Sequence, residues 1–254
     1  MLLERTNAWI RDFEVLVRSE KVHPPKGMLY TGVDLGTATI VLCVVDEEGN
    51  LVAGTMEKAA AVRDGIVVDF TGAVNVTRRL KERLEGRLRQ PLLLAGGAIP
   101  PGVGEGSSKV VKNVLESAGF EVIVLTDEPS AAALLLEMET GAVVDIGGGT
   151  TGVAVLKDGA VISTYDEATG GHHMNLVLAG RYGIPYDEAE ALKCRPEREH
   201  EVLTVLFPVI EKIASIVEGV LRDQSITEVC LVGGGATLKA VSYTHLTLPT
   251  TERV

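Results

Sequence analysis

Two carboxylates, Asp34 and Asp145, each stand at the end of an apolar run and in front of a glycine-rich turn. The first turn reads Asp34-Leu35-Gly36-Thr37. The second reads Asp145-Ile146-Gly147-Gly148-Gly149-Thr150-Thr151. Glycine carries no Cβ and reaches φ > 0, so backbone N–H groups in such a turn can close on a ligand. Thr150 and Thr151 add hydroxyl donors, and the aspartate adds a carboxylate suited to a hydrated cation. The chemistry this pattern predicts is capture of a polyphosphate with its divalent metal. A third glycine run, Gly233-Gly234-Gly235, follows the apolar stretch Val229–Val232. A single turn of this kind reads equally well as an ordinary tight hairpin. The repeated pair with the late glycine run is far more specific.

Apolar runs of strand length flank each turn, so both aspartates are placed on strand–turn–strand hairpins. Between and after them the chain alternates strands and helices. Helices are predicted over about 74–88, 107–118, 128–137, 174–182, 186–193 and 199–223, and strands over 91–98 and 120–125. Gly119 reads as a helix C-cap and Pro129 as a first-turn proline. This alternation predicts mixed α/β sheets covered by helices. At the N-terminus, Trp9, Phe13, Leu16 and Val17 share one face of an amphipathic helix over residues 1–20. Its stripe fits either a docking element or packing on the chain's own core. Residues 21–27, with Pro24, Pro25 and Gly27, form a breaker-rich linker.

Composition narrows the classes. The chain has 254 residues, enough for sizeable cores, and a net charge of -11. That charge argues against nonspecific binding to nucleic acid or to an anionic membrane, so any polyphosphate must be held by local donors and a cation. No apolar run reaches the length of a membrane span, and no signal peptide is read at the N-terminus. Cys43 and Cys230 lie in apolar strands as small hydrophobes. With Cys194 the number is odd, which predicts a reducing compartment rather than a disulfide framework.

The segments Arg63–Phe70, Asn113–Gly119 and Asp166–His173 resemble the ethanolamine-utilisation protein J family, over roughly residues 29–240. Arg63–Phe70 is also similar to the bacterial actin MreB. The resemblance implies an α/β actin-like ATPase (ribonuclease H-like) fold, with two similar halves around a nucleotide cleft. The halves would span 28–140 and 141–241, after an N-terminal helix and linker over 1–27. It further implies ATP or ADP with Mg2+ as cofactors. Asp34 and Asp145 match the two carboxylates that hold the ion through water. Gly36, Thr37, Gly147, Gly148, Gly149 and Thr150 match the phosphate clamps. Glu128, in Glu128-Pro129-Ser130-Ala131-Ala132-Ala133, matches the carboxylate that orients the attacking water. Glu190 and Lys193 match the Glu-x-x-Lys that contacts ribose and adenine, and Gly233, Gly234 and Gly235 the adenosine turn. From the residues alone, Glu128 also fits an acidic helix start favoured by the helix dipole. Glu190 and Lys193 likewise fit a solvated salt bridge.

The chain departs from the wider superfamily at Gly170-Gly171-His172-His173, where an acidic residue is usual after the glycines. Adjacent histidines on a helix do not face one metal, so polar packing is expected of them. Residues 242–254 are threonine-rich, lack family motifs and resemble a translated adapter sequence. They are expected to be a non-native tail that adds little to the core and nothing to function. The implied function is an ATP-binding, chaperone-like protein of an ethanolamine microcompartment, cytoplasmic or associated with that compartment. It would act on one of the compartment's enzymes or shell proteins, with slow ATP hydrolysis left open. The alternative is a non-enzymatic actin-like scaffold, and the oligomeric state stays open.

Overall fold

The computed structural model describes residues 2–222, 224, 226, 228–238 and 251–253. The chain forms two compact units, Met1–Glu137 and Met138–Val254.

The first unit opens with α1 (Leu2–Ser19), then β1 (Leu29–Leu35), β2 (Thr39–Asp46) and β3 (Leu51–Lys58). A small hairpin of β4 (Val62–Arg63) and β5 (Ile66–Val67) leads into α2 (Phe70–Leu88). Next come β6 (Leu94–Ile99), α3 (Glu105–Ser117), β7 (Glu121–Asp127) and α4 (Glu128–Leu135). Its main sheet runs β3-β2-β1-β6-β7. The first three strands form an antiparallel meander, while β6 and β7 join β1 in parallel. Strand alternation sets the core: Leu29, Val33 and Leu35 on β1 and Ile40, Leu42 and Val44 on β2 are all buried. They pack with Leu80 and Leu84 of α2 and Val111, Val114 and Leu115 of α3. Fully burying each such side chain is worth roughly 1.5–3 kcal/mol.

The helix α2 starts at Phe70, four residues before the sequence expectation of about 74. The Asp69 side chain accepts a hydrogen bond from Gly72 N at 2.9 Å and caps the helix, so a glycine in the first turn is tolerated.

The apolar stripe of α1 lies on the first unit's own sheet. Leu16 is buried, and a Cβ on Gly54 of β3 would strike the Phe13 ring and touch Val17. Arg87 pairs with Glu20 at 2.5 Å, Arg5 pairs with Glu137, and Thr6 Oγ1 donates to Leu135 O at 3.4 Å. Of the two readings of this helix, packing on the chain's own core is the one that occupies the stripe. Gly54→Val should therefore lift α1 and destabilise the protein by roughly 1–3 kcal/mol, the usual result of overpacking. A melting temperature equal to the parent's would show that the helix contact contributes nothing.

The second unit repeats the plan. A meander of β8 (Gly141–Ile146), β9 (Thr151–Lys157) and β10 (Ala160–Glu167) is followed by α5 (Gly171–Tyr182), α6 (Tyr186–Lys193) and α7 (Glu199–Leu221). The strand β11 (Val229–Val232) then enters beside β8, and β12 (Thr251–Arg253) beside β11, giving the order β10-β9-β8-β11-β12. On α7, Val202, Leu206, Ile210, Ile213, Val217 and Leu221 keep helical spacing and face the sheet core. Pro208 falls on the exposed side of that helix.

Of the segment expected to be a non-native tail, only 251–253 is among the described residues, and its backbone pairs in parallel with β11. The remainder of that expectation lies outside the described residues.

Candidate functional site

In the first unit, parallel pairing gathers the predicted residues at one edge of the sheet. Asp34 of β1 stands in register with Ala98 of β6, and Ala98 with Thr126 of β7. The carboxyl ends of parallel strands are where open α/β sheets bind ligands. Gly36 and Thr37 fill the turn between β1 and β2. A Cβ at Gly36 would sit 2.8 Å from Thr39 O and 3.5 Å from Asp34 Oδ2, so a larger residue would displace the turn from the carboxylate. Asp127 caps α4 through Ser130 N at 2.9 Å, which makes Glu128 the first helical residue at that same edge. Burial pushes the Asp34 carboxyl up to about 6.

In the second unit, Asp145 of β8 is in register with Val232 of β11, so the turn beginning at Gly233 starts beside it. Gly233 has φ +86, and a Cβ there would collide with Asp145 Oδ1 and Ile146 O. Gly235 packs against Ile146 in the same way. At Gly233 only glycine satisfies both the left-handed backbone and the close approach. The turn Gly147–Thr150 closes through Gly147 N to Thr150 O at 2.9 Å.

The first amides of α5 hold this turn from behind. Gly171 N donates to Gly147 O at 3.0 Å, and His172 N donates to Gly148 O at 2.7 Å. Helix-terminal N–H groups without intrahelical partners thus hold the glycine carbonyls toward α5 and fix the loop. Thr151 Oγ1 ties the strand after it to Thr169 O at 2.5 Å. A Cβ at Gly170 would lie 2.6 Å from Gly147 O and 3.0 Å from Gly148 O. Gly170→Ala should therefore detach α5 from the turn while sparing the meander. Its expected signature is faster amide exchange confined to 146–150 and 170–174; unchanged protection there would show that the clamp is not structural.

Lys193 Nζ reaches back from α6 to Gly171 O at 3.4 Å and to Glu190 Oε2 at 2.8 Å. The pair is therefore tied to the glycine turn rather than isolated on a solvated face. Burial alone would raise the Glu190 carboxyl, but hydrogen bonds from Lys193 and Asn175 outweigh it and hold the group below its ordinary range. The histidines that follow Gly171 serve local packing. Gly170 N donates to His173 Nδ1 at 3.4 Å, and His172 Nδ1 meets Tyr186 Oη at 3.1 Å.

Each unit thus assembles its own share of the predicted residues: Asp34, Gly36, Thr37 and Glu128 in the first, and Asp145, Gly147, Gly148, Gly149, Thr150, Glu190, Lys193, Gly233, Gly234 and Gly235 in the second. One residue at this edge escaped the sequence reading of roles. Asp166 is the penultimate residue of β10, and its Oδ1 is buried with no hydrogen-bond partner. Burial pushes its carboxyl up to about 6, against the Thr150 hydroxyl beside it and with the Glu167 charge. Its position four residues ahead of Gly170-Gly171, at a strand end, was the available signal.

A buried carboxylate oxygen with no donor fits a cation. Among the described residues, no three metal-ligating side chains cluster to form a closed cage. The donor set suits an ion that keeps most of its water, as Mg2+ does.

Comparison with known proteins agrees with this architecture. The family profile described as MreB/Mbl protein matches residues 49–179, and that of type IV pilus assembly protein PilM matches residues 131–247. Ethanolamine utilization protein EutJ of Escherichia coli (strain K12) is 47% identical over 208 residues, covering 81% of this chain and 72% of the relative. The crystal structure of EutJ from Carboxydothermus hydrogenoformans superposes with a TM-score of 0.90 at 43% identity, over 98% of this chain and 92% of that one. MreB5 of Spiroplasma citri bound to AMPPNP matches with a TM-score of 0.70 at 20% identity, over 90% and 92% of the two chains, a likeness of fold. The fold is that of the actin-like ATPases. Identity near one half across most of both chains, on the same backbone, makes this chain a member of the ethanolamine utilization protein EutJ family.

Proposed function

We propose that this chain binds ATP or ADP with Mg2+ and uses that binding to act, chaperone-like, on an enzyme or shell protein of an ethanolamine microcompartment. The observation that carries the nucleotide reading is the Gly147–Thr150 turn, braced by α5 and flanked by Asp145, Asp166 and Gly233. That arrangement sets a fixed glycine turn and carboxylates together at one strand end, the elements a hydrated metal polyphosphate requires. Each Asp-x-Gly turn is read as a phosphate-binding element of its own unit. Asp34 and Asp145 hold the ion's water shell, and the glycine amides and Thr150 hold phosphate oxygens. The ion, when bound, neutralises phosphate charge. Lys193 and Glu190 meet the nucleoside, and Gly233–Gly235 lets it approach the backbone.

Glu128 has the position and chemistry to orient a water at the first unit's ligand edge. Its replacement by alanine should leave Mg-ATP affinity unchanged within about twofold and lower turnover by roughly 10²–10⁴-fold, because such a group acts in the transition state. Single-turnover hydrolysis with calorimetry measures both. A wild type with no turnover above a buffer blank would remove the enzymatic reading. It would favour the alternative, an actin-like scaffold that binds its partner without hydrolysis.

A further inference from the structure

A second concave site lies on the far side of α6. Helical spacing of about 3.6 residues per turn puts Glu188, Ala191 and Leu192 on the face opposite Glu190 and Lys193. That face lines a cavity of about 420 Å³, a volume within the roughly 300–1,000 Å³ of ligand pockets. Leu192 is buried and Tyr182 and Ile184 are half-buried, so the floor is mostly apolar. Glu188, Ala191, Arg195 and Arg198 are exposed and form the rim.

The rim is charged at both ends of α6. Arg198 N donates to Arg195 O at 3.1 Å in the 3-10 turn over Pro196–Arg198. Residues three apart in such a turn eclipse, so both arginines line the cavity. Arg198 is fixed: its Nε donates to Glu201 Oε2 at 2.6 Å and its Nη2 to Oε1 at 2.7 Å. The Tyr182 hydroxyl donates to the same Oε1 at 2.7 Å. The hydrogen bonds from Arg198 and Tyr182 hold the Glu201 carboxyl down to about 2, so it stays ionised and keeps Arg198 in place. The side chains of Arg195, just past α6, and Glu188, in its first turn, have no such partner among the described residues. One cavity therefore carries an unpaired cation and an unpaired anion with apolar surface between them.

We propose that this cavity docks an extended segment of a partner protein, in which apolar side chains lie between a basic and an acidic residue. The segment's carboxylate meets the Arg195 guanidinium, its apolar side chains cover Leu192 and Ile184, and its basic group meets Glu188. From Glu188 to Arg195 the chain advances roughly 10 Å, which about four extended residues span. Charge complementarity selects this occupant. A free aliphatic acid would leave Glu188 unpaired, and a nucleic acid would face Glu188 on a chain of net charge -11. The inference gives a chemical form to the partner in the proposed function. It requires no nucleotide, because the cavity lies behind the face that carries Glu190 and Lys193.

The test is titration of the full chain, followed by amide NMR, with the acetylated and amidated tetrapeptide Lys-Leu-Leu-Glu. Saturable shifts should be confined to residues 182–201, with Kd below about 1 mM. Gln-Leu-Leu-Gln and Lys-Gly-Gly-Glu, which lack the charges or the apolar side chains, should each bind at least about tenfold more weakly. Arg195→Glu should weaken the parent peptide at least about tenfold, and Arg195→Lys should stay within about threefold of wild type. Ala191→Trp, a change at an exposed rim position, should block the cavity and abolish binding. Mg-ATP affinity should be the same in wild type and Arg195→Glu, so loss of peptide binding and loss of nucleotide binding are separate results. No saturable shift up to about 10 mM peptide, a Kd unmoved by Arg195→Glu, or shifts elsewhere on the chain overturns the inference. Hexanoate binding at the same residues as tightly as the peptide also overturns it, by making the cavity a small-acid site.

Discussion

Asp145→Ala is expected to abolish the Mg2+-dependent part of nucleotide binding. The carboxylate is next to last on β8, just ahead of the Gly147–Thr150 turn, and lies against Gly233. Losing a carboxylate that holds the ion's water shell should reduce Mg-ATP affinity by about a hundredfold or more, near 3 kcal/mol. Affinity measured in chelator should change little, because the glycine amides remain. The two arms separate a metal role from collapse of the turn, which would weaken both. Equal Mg-ATP affinity in parent and variant would refute the assignment.

Asp34→Asn should do two opposite things. Burial raises the folded carboxyl to about 6 from an ordinary 3.8. Below about pH 3 the group is protonated in folded and unfolded chains alike and adds no penalty. As pH rises to about 6, the unfolded chain releases its proton first, so the folded state loses stability. Above that, the full penalty persists, at most about 3 kcal/mol for a shift of this size. The ligand-free asparagine variant should therefore melt several degrees above the parent near pH 7.5, with the gap closing as pH falls toward about 3. The same variant should bind Mg-ATP much more weakly, since it has lost the anionic oxygen. A variant less stable than the parent at both pH values would show that Asp34 supports the fold instead of burdening it.

Much of this site was legible in the chain because it is local. Strand, aspartate, glycine and threonine follow one another at Asp34 and again at Asp145, and a hairpin needs no distant partner to be recognised. Glu128 was placed correctly at its helix start because Pro129 marks a first turn. What escaped depends on contacts between residues far apart in sequence. Asp166 acquires meaning only when β10 folds its end beside Thr150, and Asn175 only when α6 sets Glu190 against α5. The docking of Gly147 and Gly148 carbonyls on α5 likewise joins a turn to a helix across a whole hairpin. The α1 stripe announced burial but not its surface; Gly54, the notch that receives Phe13, is an unremarkable strand glycine when read alone.

The strand order of the second unit also sets a sequence of events in time. Neighbours β8, β9 and β10 pair through short turns, whereas β11 must cross three helices before it reaches β8. Closing a long loop is entropically slow compared with forming a hairpin. The Gly147–Thr150 turn is therefore expected to form early in folding, and the Gly233 turn beside Asp145 late. A chain caught between these steps, on the ribosome or during refolding, carries the Gly147–Thr150 turn with its Gly233 flank still open. Ligand that contacts both turns would act on the final step alone, slowing escape of β11 more than speeding its arrival.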